Sequence, residues 1–225
     1  MIFAGLDGYG KGWVRATIAD DAREIAFVSD IAWALRLPFD RMAVDMPIGL
    51  PDSGERACDR IARERLRPNG ARVFAGARRG LWDFASAAAA NRVLHARGEK
   101  GISLQLWHLG AKICELDAAM TPSLQSRVRE AHPELVFLRL NGGAPLPSKN
   151  REEGAALRRR LLHREGFTEI ARWLKHDRIG TGAKADDVLD ACAMAVAARN
   201  FDKGFALPPN PAPRDRRGMK MQIWY

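Results

Sequence analysis

An α/β fold built on a mixed sheet is what this chain predicts, and three features predict it. Residues 1–45 read as three strands, a short helix and a fourth strand. Glycines mark the tight connection between the first two strands, and a long Ala-rich helical pattern occupies 185–199. Three strands ahead of the first helix cannot all be parallel, because parallel neighbours need a long crossover that is usually helical.

Taken in order, Ile2–Leu6 (IFAGL) is the continuous apolar run of a buried central strand. Gly8-Tyr9-Gly10-Lys11-Gly12 turns the chain, since glycine reaches positive φ without steric cost. Trp13–Ala19 (WVRATIA) alternates loosely and suits an antiparallel partner, and Glu24–Val28 makes a third strand. Asp30–Leu35 is a short helix with Ser29 or Asp30 as its N-cap, and Arg41–Asp45 forms the fourth strand. Met46–Pro51 (MPIGLP) is irregular, because each of its two prolines lacks an N–H. Ser53 or Gly54 opens an Arg-rich helix from Glu55 to Leu66.

Residues 80–120 are mostly helical. Leu81–Ala96 is Ala-rich, and Leu104, Leu106, Leu109, Ile113, Leu116 and Met120 give a stripe near the helical period. After His132-Pro133-Glu134, the run Leu135–Leu140 (LVFLRL) is assigned as a fifth strand. Helices follow over 152–163 and 168–176, and Ala185–Arg199 is the last long one. The tail from about 205 is basic and extended. Its Pro-rich middle, Pro208–Pro213, cannot pack, while Met221–Tyr225 suits an edge strand. The simplest organisation is one domain over 1–225 with a helical insertion at about 80–120.

Bulk properties narrow the classes. An apolar fraction of 47% is enough for a real core, and no apolar run approaches the ~20 residues of a membrane span. No basic region precedes the first apolar stretch, so no signal peptide is expected. Cys58, Cys114 and Cys192 are widely spaced within helical patterns, which points to buried thiols in a reducing compartment, the cytoplasm. No Cys-x-x-Cys or His-x-x-x-His pairing favours structural zinc. The net charge of +9 favours a polyanion as partner, nucleic acid above all.

Chemistry concentrates in four acids. Asp7 ends the first strand, Asp45 ends the fourth, and Asp187 and Asp190 punctuate the Ala-rich helix. Neighbouring strands lie ~4.8 Å apart, so acids at their ends can converge. Helix residues three apart share a face. Ionised carboxylates beside a core are costly unless something positive joins them. Oxygen-only ligands suit Mg²⁺ or Mn²⁺, and two such ions about 4 Å apart activate a water and stabilise the leaving oxygen of a phosphodiester. Asp186, four residues from Asp190, stays open as the alternative to Asp187. Glu134 is a further candidate ligand. Lys11, Arg56, Arg63, Lys149 and Arg158 are candidate phosphate contacts, the arginines because their fork binds two oxygens. The glycine turn matches neither dinucleotide nor P-loop fingerprint.

Several segments carry a resemblance. Gly5-Leu6-Asp7-Gly8 with Gly12-Trp13, Asp45–Pro51 (DMPIGLP), Arg56-Ala57-Cys58-Asp59 with Ala62-Arg63, and His132-Pro133-Glu134 are among them. So are Ser148-Lys149 with Gly154 and Arg158, Ala185-Asp186-Asp187 with Asp190-Ala191, and the closing Ile223-Trp224-Tyr225. Together they resemble a bacterial and archaeal family, domain of unknown function 429. That family looks like the ribonuclease H-like superfamily, and its members are expected to be nucleases. The spacing from Asp187 to Asp190-Ala191 is similar to the final helix of Holliday-junction resolvases. The resemblance implies a three-stranded antiparallel meander followed by β-α units, with a second acid after the fourth strand, where Asp45 stands.

The leading expectation is therefore a metal-dependent nuclease in which Asp7, Asp45, Asp187 and Asp190 hold two Mg²⁺ or Mn²⁺ ions and DNA or RNA is the partner. Two other readings compete: an ATP-dependent phosphotransferase or ATPase of the related actin-like architecture, and a non-catalytic nucleic-acid-binding module. The Ala- and Trp-bearing helices of 80–120 offer a surface for a homodimer.

Overall fold

Eight residues, Ile2–Tyr9, form β1, and Gly12–Ala19 returns beside it as β2, antiparallel, with Ile2 opposite Ala19 and Tyr9 opposite Gly12. Residues 1–225 are all described by this computed structural model. Ala22–Val28 (β3) pairs antiparallel with β2. Ile31–Arg36 (α1) is capped by Asp30, whose side chain accepts the Trp33 N–H. Arg41–Val44 (β4) then lies parallel to β1, with Leu6 opposite Val44. The order in the five-stranded mixed sheet is β3-β2-β1-β4-β5, with β5 spanning only Val128–Glu130 and parallel to β4.

The assignment of Leu135–Leu140 as a strand is corrected by the structure. Pro133–Leu140 is a helix, and the fifth strand is the shorter segment before it. His132 caps this helix through Nδ1, which accepts the Glu134 N–H, and Pro133 sits at the first helical position, where its missing N–H costs nothing. The apolar run is ambiguous because every residue from Pro133 to Leu138 is buried, and a helix buried all round has no polar face to reveal its period.

The chain folds as two compact units. The first comprises Met1–Met46, Ser126–Phe205 and Trp224–Tyr225. Within it the Ala-rich helix Ala185–Arg199 crosses β1, β2 and β4, and the Pro133–Leu140 helix packs on it together with Glu152–Arg164. Gly5 allows that crossing. A Cβ there would lie 2.1 Å from Ala195 N and 2.2 Å from Ala191 O, so only a glycine lets the helix backbone rest on the strand. The small side chains of the helix serve the same close approach. Trp13, Phe137 and Phe167 are among the largest side chains fully buried in this unit.

The second unit comprises Pro47–Gln125 and Ala206–Ile223. Its helices are Ala57–Arg65 (α2), Ala87–Ala96 (α3), Leu104–His108 (α4) and Gly110–Ala119 (α5). The first of these begins two residues later than Glu55, and Leu81–Ala96 is split by a break at Phe84–Ser86. Of the expected apolar stripe, Leu106, Ile113, Leu116 and Met120 are buried, whereas Leu104 is exposed. The tail is only partly as expected. Pro209–Pro211 is exposed, but Asp215, Met219, Met221 and Gln222 are buried. Asp215 organises this stretch. Its carboxylate accepts from the N–H groups of Leu50, Arg217 and Met219 and from Arg79, which also pairs with Asp117 at 2.9 Å. In chain order the remaining elements are Pro133–Leu140 (α6), Glu152–Arg164 (α7), Ile170–Trp173 (α8), Ala185–Arg199 (α9), and a ribbon of Ala206–Leu207 (β6) with Ile223–Trp224 (β7). No helix is long and apolar enough to cross a membrane.

Candidate metal centre

Adjacent parallel strands deliver the first two acids. With Leu6 opposite Val44, Asp7 and Asp45 follow at the same level, and the Asp45 N–H donates to Leu6 O at 2.9 Å. The third acid comes from α9, whose backbone rests on Gly5, two residues before Asp7. Asp7 and Asp190 are buried, 6% and 4% exposed, and Asp45 is half-buried.

These acids shift one another's titration. The Asp7 carboxyl is pushed well above the usual range by burial first, then by Asp45, Asp190 and Asp187. Asp45 is raised well above it by burial and by Asp190, with Lys149 opposing and Glu130 and Glu134 adding. Asp190 is raised by burial despite Lys149. A group of carboxylates that repel one another in a dry setting holds protons until a cation replaces them.

Lys149 is the positive charge present. Its Nζ lies 2.7 Å from Asp190 Oδ2 and 3.0 Å from Asp186 Oδ2. Burial alone would lower the ammonium's pKa, but Asp190 and Asp186 outweigh it and raise it. The other oxygen of Asp190, Oδ1, is buried and has no hydrogen-bond partner. An orphaned carboxylate oxygen costs more than about 1 kcal/mol and is the group a cation would satisfy. The donor set, all carboxylate oxygen, suits a hard divalent ion. Asp7, Asp45 and Asp190 are the residues that would hold such an ion.

Asp187 and Asp186 divide two roles. Asp187 Oδ2 accepts the Lys184 N–H at 2.7 Å and so closes the first turn of α9. Burial lifts its pKa to about 6 in spite of that bond, helped by Asp186 and Asp190. Asp186 instead shares Lys149.

Glu134 and Arg158 are brought to each other. Arg158 Nη2 reaches both Glu134 oxygens, at 2.7 and 2.9 Å, and its Nη1 holds the carbonyls of Pro147 and Gly154 at 3.0 Å each. Arg158 is 0% exposed, so it reaches no phosphate at the surface. It pins the turn that carries Lys149. Lys11 is exposed and donates to Thr181 O at 3.2 Å, joining the first hairpin to the loop before α9. Arg56 and Arg63 belong to the second unit. Arg56 is buried against Asp59 at 2.5 Å, and exposed Arg63 donates through Nε to Val73 O. Glu130, at the end of β5 and acting on Asp45, has no place in a pattern that puts the fifth strand at 135–140. An acid ending a short β-propensive stretch, Val128-Arg129-Glu130, is the signal the sequence offers for it.

Among family models, one described as "Protein of unknown function (DUF429)" matches residues 5–214. The chain belongs to that family. Every aspartate of the site lies inside the matched span. Comparison with curated proteins and with solved structures yields no match.

Proposed function

We propose that this protein is a divalent-metal-dependent nuclease of ribonuclease H-like arrangement, hydrolysing phosphodiester bonds at the Asp7–Asp45–Asp190 cluster. One observation carries the reading: three acids from distant parts of the chain are gathered in a largely buried place, and one oxygen, Asp190 Oδ1, is left without a partner. A stability-driven sequence would replace such a group with apolar residues, so its presence argues for a ligand. The strand order β3-β2-β1-β4-β5, with a meander followed by parallel β4 and β5, supports the ribonuclease H-like part. The net charge of +9 supports a polyanionic substrate.

A divalent ion bound here would supply Lewis-acid polarisation of a phosphoryl oxygen and a water of lowered pKa. The chain's own residues provide the rest. Asp7 and Asp45, on neighbouring strands of a rigid sheet, fix two ligand positions, and Asp190 adds a third from the helix. Asp187 holds the helix start in place through Lys184 N–H. The Glu134–Arg158 pair holds the turn before α7. Cleavage of labelled branched, single-stranded and hybrid substrates with Mg²⁺ or Mn²⁺ tests the proposal. Asp190→Asn should cut at least about 100-fold more slowly while still binding, since losing a ligand should exceed the 10–100-fold cost of losing a ligand's support. Unchanged cleavage by that variant would remove the assignment.

A further inference from the structure

We infer that the Lys149 ammonium stands in for a second cation at the aspartate site, so that the protein takes a single divalent ion there and not a pair. This rests on reading the site as a metal centre and decides how many ions it holds.

Three observations carry it. First, Asp190 splits its oxygens. Oδ2 is held by Lys149 Nζ at 2.7 Å, while Oδ1 is buried and unpartnered. A hard divalent ion approaches its oxygen to about 2.1 Å, so an ion on Oδ2 would share that oxygen with the ammonium already there and be repelled by its charge. Oδ1 has no cation beside it. Secondly, Asp186 Oδ2 is 3.0 Å from the same nitrogen, so the second carboxylate on this side of α9 is also engaged by the lysine.

Thirdly, Lys149 is placed by a buried scaffold and is not a loose surface side chain. It lies between Pro147 and Gly154, whose carbonyls both accept from the buried Arg158 guanidinium. That guanidinium is in turn fixed by both oxygens of Glu134. Gly154 permits the turn to close on itself, because a Cβ there would lie 2.1 Å from Ser148 O. Rigid support of this kind holds a charge at a set point instead of letting it swing to solvent.

Mn²⁺ titration of the metal-stripped protein, followed by calorimetry and by electron paramagnetic resonance, tests this. The wild-type chain should bind about one Mn²⁺ with no spin coupling between ions. Lys149→Met should raise this to about two, with a coupled signal, and Lys149→Gln, which keeps a polar tip without charge, makes the same comparison should the first variant unfold. Two ions in the wild type, or one in both variants, would overturn the inference and leave the metal centre standing. No Mn²⁺ bound by any form would overturn the metal-centre reading itself, and this inference with it.

Discussion

Asp190 shows how costly to stability one buried side chain can be. It is buried inside α9, with one oxygen on Lys149 and the other on nothing. The neighbouring acids carry a pH signature. The folded-state pKa of Asp187 is raised to about 6, and those of Asp7 and Asp45 are raised well above the usual carboxylate value, in each case by burial before any neighbour. A carboxyl whose folded pKa exceeds its unfolded one contributes stability that is complete below about pH 4 and lost as pH rises through the folded value. The metal-stripped protein should therefore gain melting temperature on acidification from pH 8 to about pH 5.5, and Mn²⁺ should remove most of that slope. Scanning fluorimetry with chelator and with Mn²⁺ checks both; a flat profile with chelator would contradict the burial of these acids. Glu134 makes a separate prediction. Glu134→Ala strands the fully buried Arg158, so unfolding free energy should fall by about 3–5 kcal/mol in urea, with Glu134→Gln costing less.

At the scale of elements, the site depends on how closely a helix can lie on a strand. Gly5 of β1 is that point of contact, with Ala191 O and Ala195 N where a Cβ would go. Gly5→Ala must push α9 outward, and α9 carries Asp187 and Asp190. The substitution should cost about 1–3 kcal/mol or more of stability. It should also weaken Mn²⁺ binding even though it touches no carboxylate, and a thermal melt paired with calorimetry separates the two effects. Wild-type affinity in a destabilised Gly5→Ala protein would show that the helix position is not what sets the third ligand. The helix start is tuned as well, because Asp187 spends one oxygen on the Lys184 N–H. Such a cap fixes the first turn and thereby the direction in which the following residues project.

For the whole molecule, the balance of 36 basic against 27 acidic residues would govern encounter with the proposed polyanionic substrate. Part of the acid count is gathered in the site, and several arginines are spent internally. Arg56, Arg78 and Arg158 are buried. Binding to an uncleaved duplex oligonucleotide in chelator should weaken steeply with salt, with a log–log slope of about −3.6 to −5.4 if roughly four to six phosphates are contacted. Fluorescence anisotropy over a salt series measures it, and a slope near zero would argue against a nucleic-acid partner.

Local pattern alone accounts for much of this molecule. The first four strands, the capped α1 and α9 follow from it, because glycine turns, cap residues and alternation act over a few residues. Asp7, Asp45 and Asp190 stand out for a related reason, as charges where a core pattern calls for apolar side chains. The helical state of the 135–140 segment is not readable in this way, since a run buried on every side carries no period. Neither are the partners of Glu134, Arg158 and Lys149. A long charged side chain chooses among carboxylates by which one the packed backbone brings within about 3 Å, and no sequence spacing encodes that distance. The chain thus determined by itself which residues could meet. Close packing of α9 on β1 decided which of them do, and left one carboxylate oxygen without a partner.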